Sequence, residues 1–256
     1  NQRIDKFLKR IFDNLSQSFI EKNLRKKNIL LNQHLAKSKQ IIKVDDKITI
    51  KNFSNEIYKK FEKKKSTSNI DKSYIKNFKQ FILYENDNFL IIDKWSGIAA
   101  QGGSNISISI DAIIKNISEN YNLVHRLDKE TSGLMIIAKN LQYTRFFGNL
   151  FKSQKLKKTY LAVCDGVPKI KESYVDLDIN LNINDKVIQT NTFYKVLSHN
   201  NKTSLILFEP KTGKKHQLRI VAKNLGCPIV GDKKYNLNQT KQRENLKLNA
   251  FKLEFD

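Results

Sequence analysis

The chain has 256 residues, 39% hydrophobic and 10% aromatic, enough for one large domain or a catalytic domain with a small appendage. Its 47 Lys and Arg against 25 Asp and Glu give a net charge of +22, which points to polyanionic partners, nucleic acid well ahead of an acidic membrane surface. No apolar stretch approaches the ~20 residues needed to span a bilayer, and Cys164 and Cys227 have neither a disulfide framework nor zinc-ligand spacing, so no membrane, no metal and a reducing cytoplasm are expected.

The start, Asn1-Gln2-Arg3-Ile4, lacks the layout of a secretory signal. Residues 1–80 carry 21 Lys/Arg and 8 Asp/Glu, a net +13, whereas the rest carry 26 and 17, a net +9. Net positive charge is thus about three times denser at the N-terminal end, as in a nucleic-acid-gripping module placed before a more ordinary domain. Ile4, Phe7, Leu8, Ile11 and Phe12 keep helical spacing. Ser18 and Glu21 have the spacing of a capping box for a second helix running through Lys27. That helix carries Lys22, Arg25, Lys26 and Lys27 on its polar side. Ile29-Leu30-Leu31 and Ile48-Thr49-Ile50, the latter after the turn Val44-Asp45-Asp46-Lys47, read as strands. Taken with Arg3 to Leu8, Ser16-Gln17-Ser18 and Asn32, this order resembles the S4 RNA-binding domain. Residues 1–53 are therefore expected to form a small α/β S4-like domain. Residues 54–80, with the run Lys63-Lys64-Lys65, read as a basic linker.

A larger domain is expected over 81–256. Phe81–Tyr84 and Phe89–Ile92 form a hairpin, Gly97–Gly103 a loop, and Asp111–Ile117 a short helix. Leu134–Ala138 and Tyr160–Val163 read as strands, Thr190–Leu197 and Thr203–Phe208 as a second hairpin. Leu218, Val221, Ala222 and Leu225 keep helical spacing up to Gly226. Many strands with few long helices predict an α+β fold around a mixed, largely antiparallel central sheet. There is no GxGxxG and no P-loop, so no nucleotide cofactor is expected.

Between the predicted helix and Leu134 lies His125-Arg126-Leu127-Asp128-Lys129-Glu130-Thr131-Ser132-Gly133. An aspartate in a polar loop commonly caps a turn. A carboxylate kept ionised by a nearby cation is equally a nucleophile for a polarised ring carbon, and a small Thr-Ser-Gly turn lets a planar group approach the backbone. The segment resembles the signature of the pseudouridine synthases that modify large-subunit ribosomal RNA. Lys158-Thr159-Tyr160, Thr212-Gly213-Lys214-Lys215-His216-Gln217-Leu218-Arg219 and Leu225-Gly226-Cys227-Pro228-Ile229-Val230-Gly231-Asp232 are similar to further stretches of that family. Trp95 departs from the family pattern, standing after Lys94 where proline is usual, as either a stacking surface or local packing. Val221 departs likewise, where a histidine is common. Gln101 stands in place of the histidine of the His-Gly-Gly-Ser loop seen in the subgroup that resembles large-subunit synthase C.

The resemblance implies a cofactor-free isomerase. It breaks the uridine N1–C1′ bond, turns the uracil and rejoins it through C5, on a base extruded from its stack. It implies Asp128 as the essential nucleophile or base, Tyr160 stacking on the uracil, and Arg219 paired with the Asp128 carboxylate. Arg126 would fill the space the base leaves. His125, Thr131, Lys158, Lys214 and His216 complete the substrate-binding set, the two histidines as structural hydrogen-bonders, and Lys214, Lys215 and Lys223 meet phosphate. The implied partner is ribosomal RNA, with transfer RNA or a non-catalytic ribosome-assembly role as the alternatives. A monomer is expected, since no exposed apolar stripe suggests a protein partner.

Overall fold

The computed structural model describes residues 2–12, 15–59, 70–103, 106–180, 187–236 and 244–255, which form two compact units dividing at residues 68 and 69. The lysine run over 63–65 lies outside the described residues.

In the first unit β1 (Gln2–Arg3) leads into α1 (Ile4–Ile11), which buries Ile4 and Leu8 as the spacing predicts. The next helix, α2 (Gln17–Arg25), is capped by Ser16, whose Oγ accepts from Phe19 N at 3.1 Å. Ser18 is not the cap. Its hydroxyl lies 3.0 Å from that of Ser16, and Glu21 takes the Gln17 amide at 2.8 Å, so no capping box closes. Lys22, Arg25, Lys26 and Lys27 are exposed while Ile20 and Leu24 are buried. β2 (Ile29–Leu31) is buried throughout and pairs with β3 (His34–Leu35); β4 (Ile41–Ile42) pairs with β1. On its other edge β2 pairs with β5 (Ile48–Ile50), after a turn in which Asp46 accepts from Lys43 N and Asn32 Nδ2, both at 2.8 Å.

The second unit begins earlier than the sequence suggests. α3 (Lys72–Gln80), capped by Asp71 on Ser73 N at 2.9 Å, occupies the end of the segment read as linker and buries Phe78 completely. Lysines dominate the composition there, but Ile75, Phe78 and Ile82 keep an apolar stripe that docks on the core. β6 (Ile82–Glu85) and β7 (Phe89–Lys94) form the expected hairpin, followed by α4 (Ile110–Ile117), capped by Ser109. β8 (Asn122–Leu123) and β9 (Ser132–Ala138) flank the Asp128 loop. Then come α5 (Leu141–Lys152), β10 (Lys157–Asp165), β11 (Glu172–Asn180), β12 (Val187–His199), β13 (Thr203–Pro210), α6 (Gln217–Asn224) and β14 (Leu248–Glu254).

The described strands of this unit build one mixed sheet in the order β11-β12-β13-β10-β14-β9-β7-β6, with β8 on β9. Every pairing is antiparallel except β14 with β9, which is the largely antiparallel sheet the sequence predicts. Two buried clusters hold it. One packs Ile110, Ile113 and Ile114 of α4 with Phe78 onto Leu90, Ile92, Met135 and Ile137. The other packs Leu218, Val221 and Ala222 of α6 onto Ala162, Ile206 and Phe208, with Cys164 and Cys227 as buried free thiols. Tyr160 borders both clusters, at the centre of the sheet.

The parallel pair also explains Gly133, which has φ +108° and faces the backbone of Ala250 so closely that a Cβ would collide with it. The glycine of the Thr-Ser-Gly turn therefore admits strand β14, not a planar ligand.

Candidate active site

Asp128 lies in the loop between β8 and β9, with Leu127 on one side buried in the core and Arg126 and Lys129 exposed. Thr131 N closes the turn onto Asp128 O at 3.1 Å. The loop is held by the segment after β7. Gly97 N donates to Lys129 O at 2.9 Å, Ser96 Oγ to Glu130 O at 2.7 Å, and Lys94 Nζ to Lys129 O at 3.3 Å. Lys94 is fully buried and also donates to Trp95 O and Ile98 O, each at 3.0 Å. Burial pushes its amine down to about 8, opposed by the charges of Glu130 and Asp128. Trp95 packs on Phe81, with ring centroids 4.6 Å apart, so it is a local packing residue.

Four side chains from elsewhere in the unit share the electrostatic field of Asp128: Lys94, Tyr160, His216 and Arg219. Tyr160 stands beside a slip in the register of β10 against β14, where Phe251 is the extra residue on the β14 side. Its hydroxyl is pushed up to about 12, by burial first and by the Asp128 charge second, so it stays protonated. His216 begins α6 with φ +58° and places Nε2 4.0 Å from Asp128 Oδ2. Its Nδ1 is 3.0 Å from the Tyr235 hydroxyl.

Arg219 corrects an expectation. Its bidentate partner is Asp232, with Nε at 2.8 Å and Nη2 at 2.7 Å, and among the described residues it makes no ion-pair contact with Asp128. The reason is geometric. Asp232 is wholly buried eight residues beyond the helix and matches the planar fork, while Asp128 keeps 22% of its side-chain exposure. Arg219 Nη1 stands outside that fork, 3.9 Å from Glu130 Oε2 and within the field of Asp128.

The other expected contacts separate into two sets. His125 Nε2 accepts from Ile136 N at 2.9 Å and its ring stacks on Phe151, while Thr131 is buried. Thr131 is thus enclosed by the fold, whereas His125 is tied in by these contacts and remains partly exposed. Lys158 is half-buried and donates to Thr212 O at 3.4 Å, tying β10 to the turn before α6. In that turn Gln217 Oε1 accepts from Thr212 Oγ1 at 2.8 Å and Lys214 N at 3.0 Å, so the Lys214 backbone is held while Lys215 is exposed. Lys223 is exposed on α6. Lys22, Arg25, Lys26 and Lys27 belong to the other unit.

Asp232, Lys94, Gln217 and Tyr235 have no role in the sequence reading. A signal exists for Asp232, an acid just after the apolar run Pro228-Ile229-Val230 of a basic chain. Among the described residues no cluster of three or more His, Cys, Asp or Glu side chains is arranged to hold a metal ion, and no helix is long and apolar enough to cross a membrane.

Residues 88–224 match the family described as RNA pseudouridylate synthase. The chain is 41% identical over 249 residues to the ribosomal large subunit pseudouridine synthase C of Rickettsia felis, spanning 92% of this chain and 82% of that protein. With the protein of the same name from Buchnera aphidicola subsp. Schizaphis graminum it shares 31% over 248 residues, 92% and 77% of the two lengths. The solved structure of human RNA pseudouridylate synthase domain containing 4 superposes with a TM-score of 0.61 at 26% identity, covering 72% of this chain and 87% of that one. The fold, the Asp128 loop and these likenesses together place the chain in the RNA pseudouridylate synthase family.

Proposed function

We propose that this pseudouridine synthase isomerises uridines of large-subunit ribosomal RNA through Asp128, without a cofactor. The observation that carries this reading is the setting of Asp128: a partly exposed carboxylate on a loop hydrogen-bonded by Lys94, Ser96 and Gly97, inside the shared field of Tyr160, His216 and Arg219. The relatives named for large-subunit modification support the choice of substrate.

In this mechanism a uridine is extruded from its stack and its ring lies against Tyr160, which adds a π-face and stays neutral at physiological pH. The N1–C1′ bond breaks with Asp128 acting as nucleophile or base. The uracil turns, C5 bonds to C1′, a proton leaves C5 and N1 gains one, so product and substrate are isomers. Arg219, braced by Asp232, keeps positive charge near the Asp128 loop. Arg126, exposed beside Asp128, fills the gap in the RNA stack. The first unit acts as an S4-like RNA grip through Lys22, Arg25, Lys26 and Lys27. Of these, Arg25 lines an open groove of about 610 Å³, together with Glu21, Leu24, Lys37 and Lys39. Phosphate contacts there supply affinity, and base extrusion at Asp128 supplies selectivity.

The test is complementation in a bacterial strain lacking its own large-subunit synthase, with pseudouridines mapped across all stable RNAs. New modifications in the large-subunit RNA support the proposal. Modifications confined to transfer RNA, or none at all, overturn its substrate assignment.

A further inference from the structure

Tyr235 touches two of the basic groups that share the field of Asp128, His216 and Arg219. Its backbone N donates to Asp232 Oδ1 at 3.0 Å, which fixes the segment beyond α6 against the buried Arg219–Asp232 pair. Its ring lies under Arg219, with the guanidinium carbon 5.2 Å from the centroid. Its hydroxyl lies 3.0 Å from His216 Nδ1, and the other ring nitrogen of His216 faces Asp128 Oδ2 at 4.0 Å.

The backbone of His216 adds an independent observation. A helix N-cap normally has extended backbone and offers its side chain to the first turn. His216 instead is left-handed, at φ +58° and ψ +17°, and makes no side-chain cap bond. Such a conformation is unfavourable for a residue with a Cβ and persists where surrounding contacts impose it. Here those contacts are Tyr235 on one side of the imidazole and Asp128 on the other.

Chemistry then selects the tautomer. An Nε2 lone pair facing an ionised carboxylate is repulsive, whereas an Nε2–H is attractive. The attractive arrangement requires Nδ1 to accept, so the Tyr235 O–H donates to it. We propose that Tyr235 is a positioning residue for Asp128: acting through His216, its hydroxyl fixes the tautomer that turns an N–H toward the carboxylate, while its ring supports Arg219. This rests on Asp128 being the reacting carboxylate.

A pH dependence follows. The groups facing the imidazole are Asp128 from the β8–β9 loop, Arg219 of α6, Lys215 on its own turn, and Tyr235 and Lys234 beyond α6. Burial, helped by Arg219, Lys234 and Lys215 and opposed by Asp128, holds His216 below its ordinary 6.5, so it is neutral at pH 7. Protonation at lower pH makes His216 a cation that pairs with Asp128 and withdraws it from reaction. Tyr235→Phe removes a hydrogen bond made only to the neutral ring. The imidazole then protonates at higher pH, and the acid limb of the rate profile moves up.

The experiment measures single-turnover pseudouridine formation against pH for the wild type, Tyr235→Phe, His216→Gln and the double variant, each checked for folding by Trp95 fluorescence. The expected result for Tyr235→Phe is a fall of about tenfold in the turnover constant, RNA KM within about twofold, and an acid limb displaced to higher pH. In His216→Gln the limb set by the imidazole is lost, and adding Tyr235→Phe to it changes the profile no further. An unshifted limb in Tyr235→Phe, or equal effects of the tyrosine change with and without His216, overturns the proposal. Should Tyr235→Phe fail to fold, His216→Gln decides alone: loss of the limb supports the proposal and its retention overturns it. An active Asp128→Asn control would instead overturn the underlying assignment of Asp128.

Discussion

Asp232→Asn tests whether the core of the site is an ion pair or only a hydrogen-bonded filler. The Asp232 carboxylate has no side-chain exposure and receives four donors: Arg219 Nε at 2.8 Å, Arg219 Nη2 at 2.7 Å, Lys234 N at 2.9 Å and Tyr235 N at 3.0 Å. Asparagine keeps the volume but turns one acceptor into a donor facing the guanidinium, and it leaves Arg219 charged and only 6% exposed. Removing one partner of a buried pair costs about 3–5 kcal/mol. At about 2–4 °C per kcal/mol for a unit of this size, Tm falls by roughly 6–20 °C. Trp95 is the only tryptophan, and it packs on Phe81 in the same unit, so its fluorescence reports the relevant transition. Burial raises the Asp232 carboxyl, but the Arg219 and backbone hydrogen bonds outweigh it and hold it below the ordinary 3.8. The stabilisation is therefore complete above pH 3.8 and is lost as pH falls through the folded-state value, so the gap between wild type and variant closes in acid. Replacing both partners by apolar residues, Arg219→Met with Asp232→Leu, is expected to restore most of the stability while abolishing activity. A Tm loss under about 2 °C for Asp232→Asn would refute the reasoning.

Lys94→Met leaves the carbonyls of Trp95, Ile98 and Lys129 without their donor, at a cost on the order of 1–3 kcal/mol in chemical unfolding. Because Lys94 is held near 8 when folded against 10.5 otherwise, the wild type gains on the variant as pH rises between those values; a constant gap would contradict this. His125 is pushed down to about 3 by burial and by Lys158, and its Nε2 accepts from Ile136. Nitrogen NMR should therefore show a neutral ring protonated on Nδ1 from pH 7 down to about 4, and not an imidazolium. Replacing Lys22, Arg25, Lys26 and Lys27 together by Ala should reduce the salt slope of RNA binding by about 0.7–0.9 for each phosphate no longer neutralised, read by filter binding across ionic strengths. An unchanged slope would remove those side chains from the RNA interface.

Much of this architecture is legible where local pattern and burial coincide. The β6–β7 hairpin, β9, α4 and α6 follow from apolar runs and caps. α5 is absent from the sequence reading although Tyr143, Phe147, Leu150 and Phe151 keep helical spacing behind the cap Asn140. Its aromatic content is equally compatible with a strand, and only packing on Ile136 and Leu156 decides the matter. β11 alternates Val175, Leu177 and Ile179, a readable signal, whereas β14 carries Asn249 and Lys252 and becomes a strand by insertion between β10 and β9. In the site, the resemblance of the motifs to those of the synthase family leads to Asp128, Tyr160 and Arg219. Their spacing offers no means of choosing Arg219's partner, since Asp128 and Asp232 are both aspartates in short turns and only the folded distances separate them. The cation beneath the loop, Lys94, is hidden because a lysine ending a strand is usually solvated.

Single-turnover release of tritium from RNA labelled at uracil C5 reports whether Asp128 is the reacting carboxylate. Asp128→Asn preserves the size of the side chain, and the Asp128 carbonyl still accepts from Thr131 N. For this variant RNA binding is expected within about threefold of the wild type, with tritium release reduced by at least about 10⁴-fold. Release at a comparable rate by a folded Asp128→Asn protein would contradict Asp128 as the reacting carboxylate.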